Sequence, residues 1–296
     1  MAQQGFVYEE NAYRALNKDG PLKVDISTGG VAGASADKPD LTIHRNRKRD
    51  GVELKISPTA AGSLVMKYGQ STGRWDYGSV QDKSGSDLPE KVFIQSIGES
   101  KNLLREMNTS GTHGRNWRKH TPALQVLPNG AKCFGPGCND IRDAYICDIE
   151  NFGGPHEVKI EVPAKAISDY YNRKKTHYLN VGTHGFFILN SDPLKLNAAM
   201  RKLNNPPIPD FGASAKCMIR VRVQDKSRSG PSGLSFQEGH LLDQGEDRRG
   251  GYQFTMTLQF SNVTKSPYNI APLVAGSKSQ IDLKRLKADK LLCAWL

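Results

Sequence analysis

The chain has 296 residues, 37% of them hydrophobic and 24% charged, which excludes an intrinsically disordered polypeptide and allows one large domain or a core with an appendage. No apolar run approaches the roughly 18 residues of a membrane span, and the opening Met1-Ala2-Gln3-Gln4 lacks the pattern of a secretory signal or transit peptide. A net charge of +11, with most of the excess after residue 150, points to a polyanionic partner; no basic amphipathic helix favours a membrane surface. Five cysteines, an odd number without a secreted disulfide framework, make a reducing cytoplasm the expected location. Residues 6–17 read as a first helix, with Phe6, Tyr13 and Leu16 toward a core and Glu9 and Glu10 near its start. Residues 23–27 read as a strand, and the glycine-rich stretch after it lacks the spacing and lysine of a phosphate-binding loop.

Residues 38–57, KPDLTIHRNRKRDGVELKIS, read as a β-hairpin. Leu41 and Ile43 alternate with polar neighbours, and Glu53 and Lys55 share one face while Val52, Leu54 and Ile56 take the other. A turn near residues 45–50 brings Asp40 toward the face of Glu53 and Lys55. Two carboxylates and an ammonium then converge, with the Leu54 backbone carbonyl between them. Such oxygen donors suit Mg²⁺, which polarises phosphoryl groups and acidifies a bound water. Lys55 would orient that water or neutralise developing charge. A solvated hairpin with a polar face is the competing reading.

Pro39-Asp40, twelve residues, then Glu53-Leu54-Lys55 resembles the PD-(D/E)xK signature of the restriction-endonuclease-like nuclease superfamily. The resemblance covers about residues 6–70. It implies an α/β fold with a mixed central β-sheet flanked by helices, here with added DNA-recognition elements. It also implies Mg²⁺-dependent cleavage, with Mn²⁺ as a substitute, and catalytic Asp40, Glu53 and Lys55. By the same resemblance Glu10, or else Glu9, joins Asp40, Glu53 and the Leu54 carbonyl at the metal. Lys67 and Gln70, on a helix expected over residues 60–68 and just beyond it, are its candidate supporting polar residues. Arg45, Arg47, Lys48 and Arg49 crowd the hairpin tip, where they either face solvent or contact a DNA backbone.

Farther on, Arg74 and Trp75 either position nucleic acid or plug a core edge. Residues 91–97, KVFIQSI, read as a strand and residues 99–107 as a helix. Arg115, Trp117, Arg118 and Lys119 interleave charge with an aromatic ring as a nucleic-acid contact does. Cys133, Cys138, Cys147 and His156 form a loose zinc-like constellation; the alternative is a set of partly buried thiols around a strand, DAYICDIE. Residues 162–175 read as a helix entered through Pro163, followed by strands at 178–181 and 186–189. His177, Asn180 and His184 match no catalytic pattern and read as structural or DNA-facing. A Pro/Gly-rich connector at 204–212 suggests a nuclease core over residues 1–204 and a β-rich extension over 205–296 packed on it. That extension has strands at 217–223 and 252–260, a long polar loop between them, and a last helix over 281–295.

The expected function is a Mg²⁺-dependent, sequence-specific double-stranded DNA endonuclease of the type II restriction class. A homodimer would fit a palindromic site. Homing, phage DNA-processing and Holliday-junction nucleases share the same catalytic groups. A noncatalytic, basic nucleic-acid-binding module is the rival from another class.

Overall fold

A computed structural model describes residues 9, 24–25, 38–45, 47–59, 61–109, 115–126, 132–182, 184–213, 215–225, 234–237, 240–243 and 252–269. In chain order the strands are β1 (Val24–Asp25), β2 (Leu41–Arg45), β3 (Lys48–Lys55), β4 (Gly62–Gly69), β5 (Arg74–Tyr77), β6 (Leu124–Val126), β7 (Lys132–Phe134), β8 (Val158–Val162), β9 (Thr176–Val181), β10 (Gly185–Ile188), β11 (Lys216–Asp225), β12 (Leu234–Gln237), β13 (His240–Asp243) and β14 (Tyr252–Ser261). The helices are α1 (Pro89–Ser100), α2 (Leu103–Asn108), α3 (Arg115–Lys119), α4 (Ile141–Phe152), α5 (Ala164–Arg173) and α6 (Leu196–Lys202). The fold is α/β, with a mixed central sheet flanked by helices. It divides into two compact units, one from Met1–Ala61, Glu161–Met218 and Gln259–Leu296, the other from Gly62–Ile160 and Ile219–Leu258. The expected division between residues 204 and 205 falls inside the first unit.

The first unit holds a five-stranded sheet in the order β1-β2-β3-β9-β10. β2 and β3 are antiparallel, and their register runs from Leu41↔Val52 to Arg45↔Lys48. The hairpin is therefore tighter than the basic turn expected over 45–50, and Arg47 takes a left-handed φ of 62° to close it. β3 then runs parallel to β9, which makes the sheet mixed, and β9 returns antiparallel as β10. Leu41, Ile43, Val52, Leu54, Leu179 and Val181 are buried in this sheet, and Tyr178 stacks on Phe186 at 5.5 Å.

Two glycines set how closely the strands approach. A Cβ on Gly51 would lie 2.6 Å from Pro39 Cβ and 2.9 Å from the Lys175 carbonyl, so β3 lies against both segments only because residue 51 has no side chain. Its N–H donates to that carbonyl at 3.0 Å. At the far end, Gly182 has φ of 32° and a Cβ there would meet the Ile56 carbonyl at 2.0 Å. Its N–H donates to the Lys55 carbonyl at 2.7 Å, pinning the end of β9 to the end of β3.

The second unit is built on a sheet in the order β5-β4-β14-β11-β8. Its core centres on Trp75, Trp117, Phe152 and Phe254, whose rings meet at 4.7 to 5.7 Å, mostly edge to face. Trp75 Nε1 donates to the Trp117 carbonyl at 2.9 Å, and Trp117 Nε1 to the His156 carbonyl at 2.6 Å. Asp148 is fully buried and accepts from the N–H groups of Ala123 and Leu124 and from the Tyr252 hydroxyl.

Three sequence expectations change class. Residues 60–68 were expected to be helical, but β4 occupies that stretch, with Leu64 and Met66 buried and Ser63, Val65 and Lys67 exposed at period two. KVFIQSI is the body of α1 rather than a strand: Pro89 starts it, and Phe93, Ile94 and Ile97 share one buried face at helical spacing. DAYICDIE lies in α4, whose start is capped by the Asp140 carboxylate accepting from Arg142 N–H and Asp143 N–H. The helix expected at 162–175 is α5, and the strands expected at 178–181, 186–189, 217–223 and 252–260 are β9, β10, β11 and β14. The polar loop expected after residue 225 contains the β12–β13 hairpin. The first expected helix, apart from helical Glu9, and the last expected helix lie outside the described residues. Among the described residues no helix is long and apolar enough to cross a membrane.

Candidate active site

Asp40 stands one residue before β2, and the Leu41↔Val52 pairing carries it opposite Glu53. Its Oδ2 accepts from the Leu54 N–H at 2.7 Å, which fixes the carboxyl against the inner end of β3. Glu53 is only 4% exposed, an expensive place for a carboxylate unless cations accompany it. Two do. Lys55, on the same face of β3, donates from Nζ to Glu53 Oε1 at 2.9 Å, and Lys174 Nζ lies 3.5 Å from Oε2.

Lys174 belongs to the two-residue link between α5 and β9, which the parallel β3–β9 pairing brings beside Glu53. Its ammonium also stands 5.6 Å and 5.5 Å from the ring centres of Tyr170 and Tyr171, and Lys55 Nζ lies 5.9 Å from that of Tyr171. Asp50 holds the start of β9: its carboxylate accepts from His177 N–H at 3.0 Å and meets the ring Nδ1 at 2.9 Å. Burial pushes the Asp50 carboxyl up despite that contact.

The electrostatics of the two central carboxyls diverge. Burial, and then the charge of Glu53, push Asp40 from an ordinary 3.8 up to about 7, against the pull of Lys55, the Leu54 N–H and Lys174. Burial also opposes ionisation of Glu53, but Lys55 and Lys174 outweigh it and hold that carboxyl below its usual range. The site therefore keeps one firm carboxylate and one carboxyl that retains a proton near neutrality.

Asp40, Glu53, Leu54 and Lys55 are thus gathered as their spacing suggested. Glu10 lies outside the described residues, and Glu9 is a half-buried helical residue. Among the described residues no group of three or more His, Cys, Asp or Glu is placed to hold a metal ion. A cation at the hairpin would rest on the Asp40–Glu53 pair with backbone oxygen. Those hard oxygen donors fit Mg²⁺, and a cation there would offset the burial, and then the Glu53 charge, that hold the Asp40 carboxyl up. Cys133, Cys138, Cys147 and His156 likewise form no such group: Cys133 is exposed, while Cys147 sits beside Cys138, its thiol pushed up first by burial and then by that neighbour.

The other expected residues differ in setting. Lys67 and Gln70 are exposed residues of the second unit, on a strand and its turn, so the helical placement that suggested a supporting role does not hold. Arg45 is half-buried and its Nη1 donates to the Leu194 carbonyl at 2.8 Å, which ties it to the protein rather than the hairpin tip. Arg47, Lys48 and Arg49 are exposed there. Arg74 on β5 and Arg118 and Lys119 at the end of α3 are exposed, and Arg115 begins that helix. Trp117 is a correction: at 1% exposure, with its indole N–H spent on His156, its ring is core and has no face for a base. Lys174 escaped the sequence reading because a Lys-Lys pair closing a helix is what the helix dipole alone favours.

Comparison of the chain with protein-family models, with curated proteins and with solved structures finds no match.

Proposed function

We propose that the chain is a metal-dependent deoxyribonuclease of the PD-(D/E)xK type, cleaving double-stranded DNA at specific sequences as type II restriction enzymes do. The observation that carries this reading is the meeting of Asp40, Glu53 and Lys55 at the inner end of one hairpin in a mixed sheet. Asp40 and Glu53, with the Leu54 carbonyl, would hold Mg²⁺ or Mn²⁺. Bound there, a divalent ion supplies charge neutralisation of the phosphate and a more acidic water. Lys55, already within hydrogen-bonding reach of Glu53, holds that carboxylate ionised and presents an ammonium beside the reacting phosphate. Arg47, Lys48 and Arg49 would meet the backbone of the duplex. A homodimer of such sites would cut both strands of a palindrome.

Incubating the protein with Mg²⁺ and several unmethylated DNAs of known sequence tests the reading. Discrete fragments whose ends share a short sequence are expected, and EDTA stops their formation. Asp40→Ala or Glu53→Ala should lower cleavage by at least about a hundredfold while the variants stay folded by circular dichroism. Random degradation would remove the restriction class and keep the nuclease; selective cutting of four-way junctions would favour a resolvase. Full cleavage by both variants would remove the site. The exposed cationic hairpin tip also supports a second reading, a noncatalytic module that binds DNA and leaves it intact in Mg²⁺.

A further inference from the structure

The geometry points to Lys174 as a built-in counter-cation that competes with a divalent ion for Glu53 and so sets how readily the site loads. This rests on the nuclease reading and adds a regulatory contact to the same site. Both oxygens of Glu53 are taken by ammonium groups, and the side chains of Glu53, Lys174 and Lys55 are only 6%, 12% and 13% exposed. A carboxylate so enclosed needs compensating charge whenever no metal is bound. A metal ligand, however, must turn at least one oxygen toward the metal. The two contacts differ in what they would lose by yielding. Lys55 makes a short hydrogen bond of 2.9 Å, whereas Lys174 stands at 3.5 Å, beyond the usual range for an N–H···O bond.

Lys174 also has support that does not depend on Glu53. Its ammonium already stands over the rings of Tyr170 and Tyr171 at 5.6 and 5.5 Å, so its flexible four-carbon stem can give up Oε2 while the aromatic contacts persist. Lys174 is thus a positioning residue acting through Glu53. It holds the metal-free carboxylate in place and would yield it to a divalent ion.

Two measurements on the full-length, DNA-free protein test this. Mn²⁺ affinity, read by the electron paramagnetic resonance of free Mn²⁺, is expected to rise about tenfold in Lys174→Met and to stay within about twofold in Lys174→Arg, which keeps the competing charge. In the wild type, acylation of Lys174 by an amine-reactive ester, followed by peptide mass spectrometry, should speed up severalfold on adding Mn²⁺, and Asp40→Asn should abolish that increase. An unchanged or weaker affinity in Lys174→Met, or an acylation rate that ignores Mn²⁺, overturns the inference. If Lys174→Met does not fold, the wild-type acylation measurement decides alone. Wild-type protein that takes up no Mn²⁺ removes the metal site and this inference together; Mn²⁺ uptake with no effect of Lys174→Met removes only the inference.

Discussion

Asp40 carries an electrostatic burden that metal-free protein should report through its stability. Its carboxyl is raised from 3.8 to about 7, so the folded state keeps a proton that the unfolded chain gives up at lower pH. That protonated form stabilises the fold fully at acid pH, and the contribution is lost as pH rises through about 7. Glu53, held below its ordinary 4.5, works in the opposite sense, but its effect is confined to more acid solution. Denaturant unfolding of EDTA-treated protein between pH 5 and pH 8 should show stability falling with pH in the wild type more steeply than in Asp40→Asn. Parallel pH profiles would mean that Asp40 ionises normally. At this scale the sequence was informative: the period-two face of β3 and the proline-aspartate pair were enough to gather Asp40, Glu53 and Lys55. Lys174 was not legible, because its partner lies 121 residues away and only the parallel β3–β9 pairing joins them.

Each element carries its own test. The β2–β3 hairpin ends in three exposed cations, so replacing Arg47, Lys48 and Arg49 with glutamine should weaken duplex binding and reduce the slope of log affinity against log salt by about three at most. A slope that stays the same would exclude phosphate contact at the tip. α3 behaves otherwise, because Trp117 belongs to the core of its unit. Trp117→Ala should cost about 3–5 kcal/mol of stability, seen as a lowered thermal midpoint, before any question of DNA arises. A folded, equally stable variant with weakened binding would restore the nucleic-acid role. Trp117 and the elements that differ from expectation share one cause. Basic neighbours such as Arg118 and Lys119 made the segment look like surface, yet an amphipathic turn has a buried side too. KVFIQSI looked like a strand because short apolar runs fit either period, and the deciding signal was Pro89, two residues upstream. In β4 the alternation of Leu64 and Met66 was legible, but Pro58 suggested a helix start that the chain does not make.

At the scale of the molecule, the second sheet takes β4 and β5 from residues 62–77, β8 from 158–162, and β11 and β14 from beyond residue 215. A cut after residue 204, where composition suggested a boundary, therefore separates neighbours within one sheet. Residues 1–204 and 205–296 expressed apart should each lack cooperative unfolding and succumb to limited proteolysis, while co-expression should recover soluble complex in part. Two independently stable fragments would contradict the strand order. The same order has a consequence for synthesis on the ribosome. The strands that carry and flank Asp40, Glu53 and Lys55 are complete once Ile188 has been made. β4, in contrast, waits roughly 180 residues, from Gly69 to Tyr252, for its neighbour β14. At about 5–20 residues per second that is on the order of 10 to 40 seconds, during which one edge of a nascent strand has no permanent partner. Slowing translation after residue 70 with synonymous codons should therefore raise the insoluble fraction and leave the stability of the purified protein unchanged.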